Sequence, residues 1–277
     1  MIIYHANCTD GWTAAWAYLQ GSPGKKEVAI PMSYGDDLPI ISKDECVVFL
    51  DFWPGAGRLK ELAKRVPHVL VLDHHATALT EWEKHKDEFA ELPVDVTFDM
   101  NKSGALMAWE FWQSDPPDLV KYVSDNDLWK HELPDSRMVS AYIQSWDHTH
   151  ENWDWLGNLT AEELREAAKE SWRIKQQICS IAVKNAYMMD LHCNHKTYRA
   201  AVINVSFPTT QDVLSKLADE HGMALGYCRM RDGKWKISVR TREGAPITAK
   251  SYCESKGGGG HEHAAGYVTD STPIYLM

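Results

Sequence analysis

The chain lacks the sequence features that mark membrane and secreted proteins. Its 277 residues contain no hydrophobic run long enough to cross a bilayer. Residues 1–11 have neither the basic segment nor the apolar segment of a signal peptide. The six cysteines form no CxxC pair and show no disulfide-like spacing, which fits a reducing compartment. These absences predict a cytoplasmic protein that does not bind membranes.

Positive charge is also scarce. The chain has 29 lysines and arginines against 39 aspartates and glutamates, so its formal net charge is −10. Long duplex DNA is bound through broad basic surfaces, and this balance argues against that class of partner. A small nucleotide in a cleft stays compatible, because metal ions and a few cations can neutralise its phosphates locally. The predicted substrate is therefore short.

What is present is the composition of a globular protein, with 44% hydrophobic and 25% charged residues. The length allows two domains of ordinary size, each with its own core. Over the first hundred residues, short apolar runs alternate with amphipathic stretches. This alternation of strands and helices predicts a parallel, doubly wound α/β sheet.

Three of the predicted strands end in chemically active side chains. These are His5 after residues 2–4, Asp51 after residues 46–50, and Asp73, His74 and His75 after residues 69–72. Ligands of open α/β sheets gather beyond the carboxyl ends of the strands, so these side chains should meet at one edge. An ordinary polar strand end would explain any one of them, but three together indicate a metal centre. Imidazole with carboxylate is the ligand set of hydrolytic metal sites.

The run Asp73-His74-His75 after a hydrophobic strand resembles the signature of the DHH phosphoesterases. Four further stretches resemble motifs of that family and occur in its order: residues 5–11, Asp51, residues 124–129 and residues 257–266. The resemblance covers the chain nearly end to end. It implies a parallel, doubly wound α/β DHH catalytic domain over residues 1–158 and a connecting helix and linker over residues 159–197. A smaller α+β DHH-associated domain, which binds substrate, would occupy residues 198–277.

The resemblance also implies a two-metal site. Its implied ligands are Asp51 as the bridging carboxylate, Asp10, His74 and Asp125 on one ion, and His5 on the other. His75 would face the scissile phosphate as a catalytic and substrate-binding group, and Asp73 would hold a ligand histidine by its free ring nitrogen. Two Mn²⁺ ions are expected, with Mg²⁺, Co²⁺ or Zn²⁺ as alternatives. Asp127 stays open between ligand support and a helix cap.

Cys8 departs from the family pattern, which usually has an aspartate at this position. If Cys8 binds as a thiolate, the site shifts its preference toward softer metals such as zinc. If Cys8 is a neutral thiol, only His5 and Asp51 hold the first ion. We favour this second interpretation, in which the first metal site is weak.

The second domain carries the predicted substrate contacts. Gly258, Gly259 and Gly260 would let backbone N–H groups approach an anion, and His261 could then bind a phosphate or a base. Arg240 is either a phosphate clamp or a surface arginine. A capping box at residues 160–163 predicts a helix to about residue 189, followed by a polar linker at residues 192–195.

The function implied by the resemblance is an exonuclease that releases mononucleotides from very short oligonucleotides, held in a cleft between the domains. Two alternatives within the same chemistry are a phosphodiesterase for cyclic or linear dinucleotides and a 3′-phosphoadenosine phosphate phosphatase. An alternative of another class is a nucleotide-binding module that has lost catalysis, which the Cys8 departure alone favours.

Overall fold

A computed structural model describes residues 1–22, 28–206 and 208–271 of the chain. The last six residues of the predicted second domain lie outside this described part. The chain divides into two compact units, Met1–Trp172 and Arg173–Met277. No helix in the described part is both long enough and apolar enough to cross a membrane.

The first unit is built on a five-stranded sheet. Its strands are β1 (Ile2–His5), β2 (Ala29–Met32), β3 (Val47–Leu50), β4 (Val69–Asp73) and β5 (Val94–Phe98). All of them run parallel, in the order β2-β1-β3-β4-β5. The central strands β1, β3 and β4 are rich in valine, leucine and isoleucine, as expected of a parallel sheet buried on both faces. The predicted α/β class with a parallel sheet is confirmed.

Helices cover both faces of this sheet. They are α1 (Thr9–Gly21), α2 (Ala56–Ala63), α3 (Ala76–His85), α4 (Gly104–Glu110), α5 (Asp118–Asp127), α6 (Ser136–Ile143), α7 (His150–Gly157) and α8 (Ala161–Lys184). Ile2 packs in a core with α1, α4 and α5, whereas its neighbour Ile3 packs in a second core with α2 and α3. Successive strand side chains point to opposite faces, which explains the two cores.

The strand order places a switch point in the middle of the sheet. From β1 the chain first adds β2 on one side, and it then continues with β3, β4 and β5 on the other side. The connections beyond β1 and β3 therefore lead away in opposite directions. A crevice forms at such a point, and it is where open parallel sheets bind their ligands. The C-terminal ends of β1 and β3 are thus the expected centre of a site.

The second unit holds a mixed six-stranded sheet. Its strands are β6 (Tyr187–Cys193), β7 (Lys196–Asn204), β8 (Met223–Arg229), β9 (Trp235–Thr241), β10 (Gly259–His261) and β11 (Ala264–Thr269), and its further helices are α9 (Thr210–His221) and α10 (Ala249–Glu254). The strand order is β10-β11-β9-β8-β7-β6, and only β7 and β8 are parallel neighbours.

The predicted polar linker at residues 192–195 is wrong. Helix α8 ends at Lys184 rather than near residue 189, and β6 follows it. Leu191 and Cys193 are buried at alternate positions of β6, which is the pattern of a strand with one face in a core. Asn194 and His195 form a two-residue turn to β7 with φ of +50° and +60°. Positive φ at both positions is what a tight hairpin requires, and asparagine tolerates it well.

Candidate metal centre

The C-terminal edge of the first sheet gathers the predicted ligands of the first unit except Asp125. His5 ends β1, Asp51 follows β3, and His74 and His75 follow β4. Helix α1 adds Asp10 in its first turn. Among the described residues, three groups have ligand atoms within 4.8 Å of one another: His5, Cys8 and Asp51; Asp51, His74 and His75; and Asp10, His74 and Asp127. Neighbouring groups share Asp51 or His74, so together they form one continuous cluster.

Asp51 lies at the centre of this cluster. Its Oδ2 is 3.4 Å from His5 Nδ1, while its Oδ1 is 3.1 Å from His74 Nε2 and 3.8 Å from His75 Nδ1. The two oxygens of one carboxylate therefore face different imidazoles, as a bridging ligand requires. Burial raises the pKa of Asp51, but the contacts with His5 and His74 outweigh burial and hold the pKa below its ordinary value.

The backbone of Asp51 is strained. Its φ is +55°, a left-handed conformation that costs free energy for any residue with a Cβ atom. The strain lies at the switch point, immediately after β3. Such strained residues concentrate at functional sites, where the surrounding fold holds them in place. Seven other non-glycine residues of the described part also have a positive φ, so the binding role of Asp51 is argued from its contacts with His5 and His74.

Asp10 is buried and accepts hydrogen bonds from the start of α4. Its Oδ2 accepts the N–H of Gly104 at 2.7 Å, and its Oδ1 accepts the N–H of Ala105 at 3.1 Å. Burial, followed by the charges of Asp51 and Asp127, raises the pKa of Asp10 well above its ordinary value. Gly104 is required for this packing, because a Cβ atom there would lie 2.5 Å from Asp51 Cβ and 2.9 Å from Asp10 Oδ2.

His74 faces three carboxylates at once. Its Nε2 lies 3.1 Å from Asp51 Oδ1, 3.4 Å from Asp127 Oδ2 and 3.8 Å from Asp10 Oδ2. Burial alone lowers the pKa of His74, but the carboxylates, with Asp51 first, raise it to about 9. One imidazole is thus surrounded by an excess of buried negative charge, which a divalent cation would balance.

The structure brings Asp127, and not Asp125, to the cluster, which corrects the prediction that Asp125 is a metal ligand. Asp125 instead holds the loop after α5, where its Oδ1 accepts the N–H of Glu132 at 2.9 Å and its Oδ2 accepts the N–H of Leu133 at 3.4 Å. Two residues that are two positions apart on a helix are rotated by about 200° around its axis, so their side chains point to nearly opposite sides. Only one of the two aspartates can therefore face His74.

Asp73 orients His75. The Asp73 side chain is fully buried, and its Oδ1 lies 2.6 Å from His75 Nδ1. The same oxygen accepts the backbone N–H groups of His74 at 2.7 Å and His75 at 3.2 Å. The bond to Asp73 raises the pKa of His75 against the effect of burial. Asp73 thus holds a histidine as predicted, although the ring it holds is His75 rather than an implied ligand.

Cys8 lies where its thiol can reach a metal ion. It precedes α1, and its Sγ belongs to the group formed with His5 and Asp51. Burial, followed by the charges of Asp51 and Asp10, raises the pKa of the Cys8 thiol. The thiol is therefore protonated when no cation is present, and a bound cation would reverse this preference. Both interpretations of Cys8 stay open.

The residues of the cluster fit a divalent ion. Nine buried side-chain polar atoms in the described part make no hydrogen bond, and two of them belong to this site, His5 Nδ1 and Asp73 Oδ2. His5 Nδ1 lies 3.4 Å from Asp51 Oδ2 without a hydrogen bond to it, so this nitrogen is available to bind a cation together with the carboxylate. Carboxylate oxygens with imidazole nitrogens suit manganese, zinc and similar ions.

The residues predicted to bind substrate form a separate group in the second unit. Arg240 on β9 pairs with Ala264 on β11, and His261 on β10 pairs with the same Ala264. Directly opposed residues share a face, so Arg240 and His261 lie on one face about 10 Å apart, two strand spacings. Arg240 Nη1 donates to the carbonyl of Val239 at 3.1 Å, and no described carboxylate forms an ion pair with it.

The glycine run leads into an edge strand of the second sheet. Gly259 and Gly260 lie in β10, an edge strand paired with β11. Gly258 precedes it, and a Cβ atom at Gly258 would lie 2.3 Å from the carbonyl oxygen of Gly266. Close approach of two backbone segments therefore explains Gly258 and Gly260 but not Gly259, where a Cβ atom would meet nothing within 4 Å. Contact of these glycines with a substrate stays a prediction.

Tyr34 is a candidate site residue that sequence reasoning missed. Its ring centroid lies 5.4 Å from that of His5 and 6.4 Å from that of His75. In the sequence, Tyr34 is followed by a glycine and lies two residues beyond β2, at the edge of the sheet where the ligands were expected.

No protein-family model and no curated protein matches this chain. The resemblance to the DHH phosphoesterases therefore depends on the sequence motifs alone.

Proposed function

We propose that this chain is a metal-dependent phosphodiester hydrolase of the DHH type that releases mononucleotides from short oligonucleotides or dinucleotides. The observation that carries the proposal is the position of Asp51, whose two oxygens face His5 on one side and His74 on the other. A carboxylate with this arrangement can bridge two ions. The order of the motifs along the chain supports the same chemistry.

The cluster supplies ligands for two divalent ions. His5 and Asp51, with Cys8 beside them, would hold one ion weakly, and Asp10, His74 and Asp127 would hold the other together with Asp51. When bound, such a pair lowers the pKa of water and neutralises charge on the phosphoryl oxygens. Manganese is the ion we propose, because the set is dominated by carboxylate and imidazole.

His75 would act on the phosphate. Its Nδ1 is bound to Asp73, so its Nε2 is the nitrogen left for a substrate. Because Asp73 raises the pKa of His75, the protonated ring persists closer to neutral pH. A protonated His75 would donate a hydrogen bond to a phosphoryl oxygen, and it could protonate the leaving oxygen. Asp73 would fix the tautomer and the orientation of the ring.

Short substrates suit the charge of the chain. With a net charge of −10, the protein gains little attraction from additional phosphates along a strand. Arg240 and His261 lie on one face of the second sheet and are candidate contacts for a terminal phosphate. We therefore propose that rates fall as oligonucleotides lengthen beyond a few residues.

A panel of phosphate esters tests the proposal. The full chain is incubated with Mn²⁺ and with linear dinucleotides, cyclic dinucleotides, 3′-phosphoadenosine 5′-phosphate, and oligonucleotides of increasing length, and the products are resolved by chromatography. Asp51→Asn, checked for folding by circular dichroism, is the control. We expect mononucleotides from the shortest linear substrates and no turnover by Asp51→Asn. Full activity of Asp51→Asn, or a preference for long strands, would overturn the proposal.

A further inference from the structure

A pocket opens beside the cluster in the first unit. Its volume is about 270 Å³, and the residues that matter for its chemistry are Tyr34, Phe52, Trp53, Arg58 and Thr77. Tyr34 links the pocket to the cluster, because its ring also lies close to the rings of His5 and His75. Thr77 lies in the first turn of α3, two residues after His75. A substrate group in this pocket would therefore be next to a phosphate held at His75.

A fixed turn presents Tyr34 to this pocket. The turn spans residues 33–36 and is closed by a 3.1 Å bond from the N–H of Asp36 to the carbonyl of Ser33. Asp36 Oδ2 accepts the N–H of Ser33 at 2.8 Å, and Arg58 Nη1 donates to the carbonyl of Asp36 at 2.7 Å. Gly35 has a φ of +102°, which the third position of a type II turn requires. These bonds fix the backbone on both sides of Tyr34, and 55% of the surface of Tyr34 is exposed.

The lining of the pocket suits a flat aromatic group. Tyr34 stacks on Phe52 with ring centroids 4.9 Å apart and 25° between the planes. The carboxylate of Glu81 is occupied, since it accepts the indole N–H of Trp53 at 2.9 Å and the N–H of Ala56 at 2.9 Å. The pocket therefore offers aromatic surface, the guanidinium of Arg58 and the hydroxyl groups of Tyr34 and Thr77. Nucleobases stack on such aromatic platforms without strong sequence preference.

We propose that this pocket binds the nucleobase on one side of the scissile phosphate, with Tyr34 as the stacking residue. The inference rests on the proposed hydrolysis of short oligonucleotides. The volume is below the range of roughly 300–1,000 Å³ that larger ligands occupy, so the pocket accepts one base and not both bases of a dinucleotide. Tyr34 would therefore act mainly on how tightly the substrate binds.

Steady-state kinetics on matched substrates test the proposal. The substrates are a dinucleotide and its two counterparts that lack either the 5′ or the 3′ base. Tyr34→Ala should raise the KM for the dinucleotide about tenfold, the size of a lost base stack, and this rise should exceed any fall in kcat. For the counterpart that lacks the stacked base, Tyr34→Ala should raise the KM much less than for the dinucleotide. Tyr34→Phe keeps the ring and should behave like wild type, as should Trp155→Ala, which removes an exposed ring in α7.

A binding measurement separates this proposal from the proposed function. Metal-stripped wild type and Tyr34→Ala are titrated with adenosine and with ribose by calorimetry. Adenosine binding that is lost in Tyr34→Ala, without ribose binding, supports the pocket even when no phosphodiester is hydrolysed. If wild type hydrolyses dinucleotides and Tyr34→Ala keeps the same KM, the pocket proposal is overturned and the hydrolase proposal stands. If adenosine does not bind to wild type and Tyr34→Ala has no kinetic effect, the pocket proposal is equally overturned.

Discussion

Asp73 Oδ1 lies 2.6 Å from His75 Nδ1, and the Asp73 side chain has no exposed surface. An asparagine at this position could still accept a hydrogen bond from the ring, but it would not carry the charge that raises the pKa of His75. We predict that Asp73→Asn lowers kcat about 10- to 100-fold, the usual effect of removing such a supporting group. The pKa of His75, measured by NMR in the metal-free protein, should fall in the same variant.

His75→Gln is the matched comparison for this prediction and should lose more activity than Asp73→Asn. An unchanged His75 pKa together with unchanged kcat in Asp73→Asn would show that the pair has only a structural role.

Asp125 and Asp127 offer a pair of isosteric substitutions with opposite consequences. Asp127→Asn removes a charge beside His74, so it should weaken metal binding and leave thermal stability nearly unchanged. Asp125→Asn places an amide N–H₂ against a backbone N–H that needs an acceptor, which should cost about 1–3 kcal/mol of unfolding free energy. Calorimetric metal titration and denaturant unfolding of both variants measure the two effects. Loss of metal by Asp125→Asn at unchanged stability would restore the prediction drawn from the sequence.

The next prediction concerns the effect of Cys8 on the affinity of the first metal site. We predict that half-maximal activity of the wild type requires a high concentration of free Mn²⁺, because the group around His5 and Asp51 lacks a second hard anion. Cys8→Asp should lower that concentration with little change in the plateau rate, and Cys8→Ser should resemble wild type. Elemental analysis of the purified proteins counts their bound metal ions. Two tightly bound ions in wild type and one in Cys8→Ser would contradict a weak first site.

Metal binding should release protons near neutral pH. The pKa values of Asp10 and Asp127 are raised by burial and neighbouring carboxylates, and that of His74 is raised to about 9. These groups hold protons more tightly than usual in the metal-free protein and must release them to bind a cation. Metal affinity should therefore rise with pH up to about 9. Titration calorimetry in buffers of different ionisation enthalpy measures the number of protons released, and a value of zero at pH 7 would contradict this arrangement.

Gly104 has a steric role that a single methyl group tests. Gly104→Ala would press a Cβ atom against Asp51 and Asp10, which should destabilise the protein by about 1–3 kcal/mol and weaken metal binding as well. Gly57→Ala is the control, because a Cβ atom at this helical position meets nothing within 4 Å. It should be neutral or slightly stabilising. Equal stability of the two variants in denaturant unfolding would show that the contact at Gly104 relaxes easily.

The sequence predicted the parts of the cluster that depend on strands alone. His5, Asp51 and His74 follow short apolar runs. Parallel pairing of these strands brings their carboxyl ends to one edge of the sheet, whatever the conformation of the connecting loops. The ligand on α5 could not be predicted in this way, because Asp125 and Asp127 differ only in the rotational phase of a helix within the fold. The position of Tyr34 could not be predicted for a related reason, because the direction of its ring depends on the geometry of a turn.

In the second unit, the error at residues 192–195 has a different cause. Histidine, cysteine and asparagine in succession have the composition of a linker, but their alternating burial is set by pairing with β7. Pairing between strands is a tertiary effect that overrides local composition.

The reversal of strand order at β1 and β3 also governs when the cluster can form during folding. Its members come from β1, the start of α1, the ends of β3 and β4, and the last turn of α5, so none of its three groups is complete within one local segment. Contacts between residues so far apart in the chain form late, after the loops between them have closed. A cation bound at this edge would therefore act on the finished sheet, and it would slow unfolding more than it would speed folding.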